Sequence, residues 1–223
     1  MPTQTTDTSP NRLRILGDDE IEALYGRPRV TDDERREYFS LSATDKAILE
    51  PLHSITSRIY CILQLGYFKA RHRFFVFDLQ EVMADTRYVQ EQYFPSFPCT
   101  DFAITKVTRL RQQRFIRDLY HYRYCGALER QPLETKAQQA ARVDSKPVYV
   151  FRELLHDLAT HRIVSPAYSV MPDTVGKALT AEQNRLTALL RHALGPSETH
   201  GLTVLLEEAS GLYEITRLKR EPR

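Results

Sequence analysis

The sequence has little cysteine and no apolar run long enough to cross a membrane. Its three cysteines, Cys61, Cys99 and Cys125, are odd in number and widely spaced, which is typical of reduced thiols and argues against a disulfide framework or a zinc site. No stretch approaches the roughly 20 apolar residues that span a bilayer, and the start, MPTQTTDTSPNRLR, lacks the apolar core of a signal peptide. We therefore expect a cytoplasmic protein with no membrane partner and no bound metal.

The common motifs of nucleotide binding and catalysis are also missing. Neither a G-x-x-x-x-G-K-[ST] nor a G-x-G-x-x-G loop is present, so nucleotide binding has no support. His156 and His161 are five residues apart and do not share a helix face as a zinc pair would. His121 lies one turn before Cys125, but no third group that would orient such a pair is indicated. We expect this chain to have no cofactor and no enzymatic activity.

Helix patterns fill most of the chain. Two capping-box patterns, Thr31 with Glu34 and Ser42 with Asp45, each predict the start of a short helix. The segment 59–68 is apolar around most of its circumference, as in a helix buried on all sides. There is no alternating strand pattern and no fixed-period repeat, so the sequence predicts an all-α, multi-helix fold. We expect a flexible leader and two helical subdomains, spanning 1–12, 13–97 and 98–223.

Prolines, acids and glycines suggest where the other helices lie. Residues 78–94 are expected to hold two short helical stretches separated near Asp85, and Pro132 is expected to begin a helix over 132–143. Two short helices are expected after residue 201. Four apolar residues predict one face of an amphipathic helix: Val150, Leu154, Leu155 and Leu158.

Charge is distributed unevenly along the chain. The formal net charge is +2, but residues 1–50 carry −4 and residues 105–152 carry +7. Segregation of this kind can be the electrostatic footprint of a nucleic-acid-binding protein, and a solvated helix face produces the same count.

The basic region centres on residues 105–126, TKVTRLRQQRFIRDLYHYRYCG, which contain five arginines, one lysine, three tyrosines and a single acid. We expect a helix over 104–123. On a helical wheel its apolar residues gather on one side and a basic ridge lies on the other. The expected core side consists of Ile104, Val107, Phe115, Leu119 and Tyr122, and the ridge of Lys106, Arg109, Gln113 and Arg117.

A row of guanidinium groups with tyrosine hydroxyls can bind phosphate oxygens, and a helix fits the DNA major groove. The alternative is a solvated helix whose arginines pair with acids elsewhere. The candidate DNA-contacting residues here are Lys106, Arg109, Arg111, Arg114, Arg117, Tyr120 and Arg123, with Tyr120 expected to be exposed.

A second basic group follows the apolar segment. Lys69, Arg71 and Arg73 lie in FKARHRFF and are further candidates for DNA contact. They are equally consistent with a solvated helix end whose cations favour the C-terminal helix dipole.

Four segments, in order, resemble the N-terminal region of the Tn-three-class bacterial transposases, which move transposons by replicative, cointegrate-forming transposition. They are RILGDDEIEALYGRPRVTDDERREYFSLSATD, SRIYCILQLGYFKARHRF, IVSPAYSVMPDTVGKAL and GLYEITRLKREPR. The resemblance extends from about residue 13 to the C-terminus. The sequence departs from it at Tyr60 and Cys61, which replace a Gly-Phe pair, and at 51–53, which replace an arginine-rich turn.

The resemblance implies a DNA-binding module that recognises the terminal inverted repeats of the transposon. The family's acidic catalytic triad lies far downstream in a ribonuclease-H-like domain, so no strand-transfer chemistry is expected here. The implied partners are double-stranded DNA at transposon ends and other transposase subunits. Two alternatives stay open: a protein–protein interaction module for transposase assembly, and an inactive transposase remnant.

Overall fold

The computed structural model describes residues 13–96 and 103–195, together with 198, 200, 208–209 and 212–213. These residues are mostly helical, so the predicted all-α, multi-helix fold is confirmed. The helices are α1 (Asp18–Tyr25), α2 (Asp32–Tyr38), α3 (Ala43–Ala47), α4 (Ile55–Arg71), α5 (Met83–Tyr93), α6 (Lys106–Leu119), α7 (Ala127–Val143), α8 (Pro147–Thr160) and α9 (Val170–Ala193).

Two pairs of very short strands accompany the helices. β1 (Arg123–Tyr124) pairs in parallel with β2 (Ile163–Val164), which joins the segment after α6 to the segment after α8. β3 (Glu208–Ala209) pairs antiparallel with β4 (Leu212–Tyr213). The prediction of two short helices after residue 201 is wrong for these four residues, and the rest of that prediction lies outside the described residues.

The two predicted capping boxes are confirmed. The Thr31 side chain accepts a hydrogen bond from the Glu34 amide, and the Glu34 carboxylate accepts one from the Thr31 amide. Ser42 and Asp45 make the same exchange at the start of α3. Each box satisfies amide groups that have no partner inside the helix, which explains why these short helices begin where they do.

α4 forms the centre of the first core. Every residue from 59 to 68 is buried, as the sequence predicts. Side chains of α4 pack with Phe39 after α2, with Leu79, and with Val89 of α5. Gly66 permits the close approach of α2, because a Cβ at this position would overlap the Phe39 ring.

α7, α8 and α9 form a second core. The predicted amphipathic face of α8 is confirmed: Val150, Leu154 and Leu158 are buried and Leu155 is partly buried. Ile15 and Leu16, which precede α1, also pack into this core. Residues from the beginning of the chain therefore contact its second half.

A third apolar cluster lies where α6 meets α4. Ile116 of α6 packs with Leu65 and Phe68 of α4, and Val164 of β2 joins them. α6 therefore packs on a helix of the expected first subdomain. The division into subdomains at 97/98 stays a prediction, as does the leader over 1–12, which lies outside the described residues.

Two expected helix boundaries are wrong. α5 is a single helix from Met83, and it continues through Asp85 and Thr86 because both side chains have inward partners. α7 begins at Ala127, five residues before Pro132. The Glu129 carboxylate accepts a hydrogen bond from the Gly126 amide at 3.1 Å, which helps begin this helix ahead of the proline.

Candidate nucleic-acid interface

α6 is anchored by a glutamine as well as by an apolar residue. Thr105 begins the helix by accepting a hydrogen bond from the Thr108 amide. The buried Gln112 amide donates to both the carbonyl and the hydroxyl of Ser57 in α4, each at 2.8 Å. Together with Ile116, this contact fixes which side of α6 faces the protein.

The expected inner and outer faces of α6 are therefore wrong in part. Val107, expected in the core, is 77% exposed, and Leu110 is 50% exposed. Gln113, expected on the basic ridge, is 7% exposed. The helix is also shorter than expected, since it spans Lys106–Leu119 rather than 104–123. Turning the glutamines inward brings Val107 and Leu110 to the surface.

The outer face of α6 is consequently both basic and apolar. Lys106, Arg111 and Arg114 are exposed, and they flank Val107 and Leu110. Phe115 lies partly buried beside this face, with the Arg111 guanidinium 5.3 Å from its ring centroid. We call the surface formed by Lys106, Val107, Leu110, Arg111 and Arg114 the outer face of α6.

The cations of α6 differ in their ion pairs. Arg114 and Arg117 both approach Asp118, at 3.6 and 2.6 Å. Arg117 is also less exposed and lies over the ring of Tyr124. Among the described residues, Lys106, Arg109 and Arg111 have no ion-pair partner, and Arg109 is half-buried. α6 therefore contains five basic side chains and a single carboxylate, that of Asp118.

The remaining candidates after α6 have structural contacts. Tyr120, expected to be exposed, is half-buried, and its hydroxyl donates to the Asp45 carboxylate at 2.9 Å. Tyr122, expected in the core, is half-buried and stacks on His72 with the ring planes 10° apart. The Arg123 side chain is mostly exposed and lies 3.7 Å from Glu129.

The second basic group does not form a single exposed patch. Lys69 binds the Asp45 carboxylate at 2.9 Å and the Ser40 carbonyl at 2.7 Å. Arg71 is exposed. Arg73 is buried and donates hydrogen bonds to backbone carbonyls. Of the three, Arg71 is the one whose charge lies on the open surface.

Asp45 is the residue that the sequence analysis missed. Its carboxylate accepts hydrogen bonds from Lys69, from Tyr120 and from the Ser42 amide. Burial opposes its ionisation, but these three donors outweigh burial and lower the pKa of Asp45 below its ordinary value. The capping-box pattern identified Asp45 as a helix-start residue, and no sequence signal pointed to its distant partners.

The thiols of Cys61 and Cys125 lie in surroundings that disfavour the thiolate form. No group of three His, Cys, Asp or Glu side chains in the described part of the chain is arranged to hold a metal ion. Burial, and then the nearby Glu129, raises the pKa of Cys125. Burial raises the pKa of Cys61 to about 12. Both thiols are therefore less readily ionised than a free cysteine, the opposite of an activated nucleophile.

Comparison with known families gives one match. Residues 15–178 match the family described as a domain of unknown function, DUF4158. The chain belongs to this family. The DUF4158 region runs from the residue before Leu16 into α9 and so contains the whole of α6 and all three apolar clusters. No curated protein matches the chain. Within the described ranges, no helix is long and apolar enough to cross a bilayer.

Proposed function

We propose that this chain binds double-stranded DNA through the outer face of α6, as the part of a Tn-three-class transposase that recognises the terminal inverted repeats. The observation that carries the proposal is the set of exposed cations on one side of a helix with a single acid. Lys106 and Arg111 have no carboxylate partner among the described residues, so their charge is available to phosphate groups.

The start of α6 supports the same proposal. α1 and α2 each have three acids in their first turn, which offset the partial positive charge of the helix N-terminus. α6 has no acid in its first turn and has Lys106 there instead. Its N-terminus thus adds to the positive potential of the outer face and favours a phosphate group.

The exposure and contacts of the candidate residues guide which of them the proposal assigns to DNA contact. Lys106, Arg111 and Arg114 are the principal contacts, and Arg71 and Arg123 are exposed enough to contribute. The proposal assigns Tyr120, Lys69 and Arg73 no contact with a duplex on the outer face of α6, because Tyr120 and Lys69 bind Asp45 and Arg73 is buried. Arg109 and Arg117 are half-buried and are expected to contribute less.

A triple substitution tests this assignment. Replacing Lys106, Arg111 and Arg114 with alanine should weaken DNA binding and reduce the slope of log K against log salt by roughly 0.9 for each DNA phosphate that the variant no longer neutralises. The matched control replaces Arg152 and Arg191, which are exposed on α8 and α9. An unchanged affinity and slope in a folded triple variant would contradict the proposal.

The second candidate function is a protein–protein interaction module. The observation that favours it is the exposure of Val107 and Leu110 in the middle of the outer face, since exposed apolar groups rimmed by polar residues often mark protein contacts. Sedimentation of the chain across a concentration range discriminates the two. Self-association that is lost on replacing Val107 and Leu110 with serine, without any DNA binding, would favour this candidate.

A further inference from the structure

Arg73 is a buried cation in the segment that follows α4. Its side chain lies between α1 and the loop after β2, and the residue is 9% exposed. Nη2 donates to the carbonyl oxygens of Ser165, at 3.0 Å, and Pro166. The carbon at the centre of the guanidinium lies 3.8 Å from the centroid of the Tyr25 ring. The two carbonyls therefore contact one edge of the Arg73 guanidinium, and the Tyr25 ring contacts one of its faces.

The positive charge of Arg73 has no carboxylate partner among the described residues. Besides the two carbonyls, the guanidinium interacts with the hydroxyl of Tyr25. Burial lowers the pKa of Arg73 and the nearby Tyr25 partly offsets this effect, while the guanidinium stays protonated at physiological pH. A buried cation is costly unless an anion or a full set of acceptors surrounds it. The two carbonyls supply only part of that set.

A pocket of about 240 Å³ opens beside Arg73, which we call the Arg73 pocket. Tyr25, Arg71, His72 and Ser165 are among the residues that line it. The buried Tyr25 hydroxyl makes no hydrogen bond of standard geometry among the described residues, although it lies close enough to Arg73 to interact with its guanidinium. Since one water occupies about 30 Å³ of liquid, the pocket has room for a small polyatomic anion. No residue of α6 lines it.

We propose that the Arg73 pocket binds a phosphate-sized oxyanion, held by the Arg73 guanidinium and the Tyr25 hydroxyl. The free edge of a guanidinium matches the oxygens of a phosphate group, and charge-assisted bonds of this kind are strong. Arg71 and His72 are exposed residues of the same pocket and add positive charge or polar contacts at its rim. The anion completes the polar shell of a cation that the protein alone leaves incomplete.

The ligand carries its phosphate at a free end. Because Arg73 is nine-tenths buried, we expect its guanidinium to accept a terminal phosphate in preference to one within a continuous duplex backbone. Inorganic phosphate and the 5′ phosphate of a DNA end share the required chemistry. This site lies apart from the outer face of α6 and does not require that face to bind DNA.

NMR titration of the full chain with inorganic phosphate tests the proposal, with sodium chloride used to hold ionic strength constant. We expect a saturable 1:1 shift of the Arg73 Nε–Hε resonance. Tyr25→Phe keeps the ring that packs against the Arg73 guanidinium and removes only the hydroxyl, so the variant should fold and bind phosphate at least about tenfold more weakly. Arg152→Ala should bind phosphate as the unchanged protein does. Absence of a saturable shift, or equal affinity in Tyr25→Phe, would overturn the proposal.

A competition experiment identifies the source of the phosphate. Displacement of inorganic phosphate by a 5′-phosphorylated oligonucleotide, but not by its 5′-hydroxyl counterpart, supports the proposal with a DNA end as the ligand. Displacement by neither, while inorganic phosphate still binds, supports it with free phosphate as the ligand. Equal displacement by both would show that the pocket accepts ordinary diesters and would overturn the proposal.

Discussion

The hydroxyl of Tyr120 donates a hydrogen bond to Oδ1 of Asp45, 75 residues away in sequence, with the two oxygens 2.9 Å apart. Oδ2 of the same carboxylate accepts a hydrogen bond from Nζ of Lys69 near the end of α4. Asp45 therefore joins α3, α4 and the end of α6. Two residues that the sequence indicates as candidates for binding DNA therefore also connect these helices.

Replacing Tyr120 with phenylalanine should destabilise the protein without weakening DNA binding. The change leaves a buried carboxylate short of one donor, and hydrogen bonds to charged groups contribute roughly 1.5–3 kcal/mol. Tyr124→Phe is the control, because Tyr124 is 43% exposed and its change should lie within about 0.5 kcal/mol. Urea unfolding measures both. A stable Tyr120→Phe variant with weakened DNA binding would indicate that the Tyr120 hydroxyl contacts DNA.

The contribution of Asp45 to stability should depend on pH. The pKa of Asp45 is lower in the folded state than its ordinary value of 3.8. The contribution of the ionised carboxylate to the free energy of unfolding is therefore complete at pH values above that ordinary pKa. That contribution is lost as the pH falls through the lowered pKa. Asp45→Asn should therefore be less stable than the unchanged protein at neutral pH, with the difference narrowing in acid. Asp33→Asn, at a carboxylate that is 90% exposed, is the control. Urea unfolding from neutral pH to below about pH 4 gives the difference, and a constant difference would show that the charge of Asp45 is not what matters.

Gly66→Ala should destabilise the packing between α2 and α4. A Cβ at Gly66 would overlap the Phe39 ring, and overpacking of a core costs about 1–3 kcal/mol. Gly176→Ala in α9 is a matched control, because its new Cβ comes no closer than 3.9 Å to Leu13. Alanine is the better helix former by roughly 0.5–1 kcal/mol, so this control should be stabilised. Thermal unfolding should shift the two variants in opposite directions.

Two substitutions in α6 test which of its faces is buried. Ile116→Ala removes a fully buried side chain and should cost about 2–5 kcal/mol. Val107→Ala changes an exposed side chain and should alter stability by no more than about 0.5 kcal/mol. Chemical denaturation of both variants makes the comparison. A large destabilisation in Val107→Ala with a small one in Ile116→Ala would show that the buried face of α6 is the one that the apolar pattern alone predicts.

Local patterns in the sequence were sufficient to predict much of the fold. The capping boxes at Thr31 and Ser42 predict two helix starts, and the segment 59–68, which is apolar around most of its circumference, identifies the most buried helix. The apolar spacing from Val150 to Leu158 gives the inner face of α8. In each case the residues that decide the structure lie within a few turns of one another, so their spacing is visible in the chain.

The orientation of α6 depends on contacts that the sequence does not display. Gln112 is buried, and its Nε2 donates to the carbonyl and hydroxyl of Ser57, 55 residues away. A wheel that ranks residues by hydrophobicity places such a glutamine outside and Val107 inside. The same limit applies to Arg73, whose partners lie 92 and 93 residues away. The basic residues of α6 are visible as a group in the sequence, but which of them are exposed depends on the tertiary structure.

The most direct test of the proposed end recognition is fluorescence anisotropy of the chain with a labelled terminal inverted repeat of the transposon that the proposal implies and with a scrambled duplex, across a salt series. We predict tighter binding to the repeat that persists near physiological salt. Equal and steeply salt-sensitive binding to both duplexes would show that the outer face of α6 binds DNA without sequence specificity. Absence of binding to either duplex would contradict a DNA-binding function for this chain.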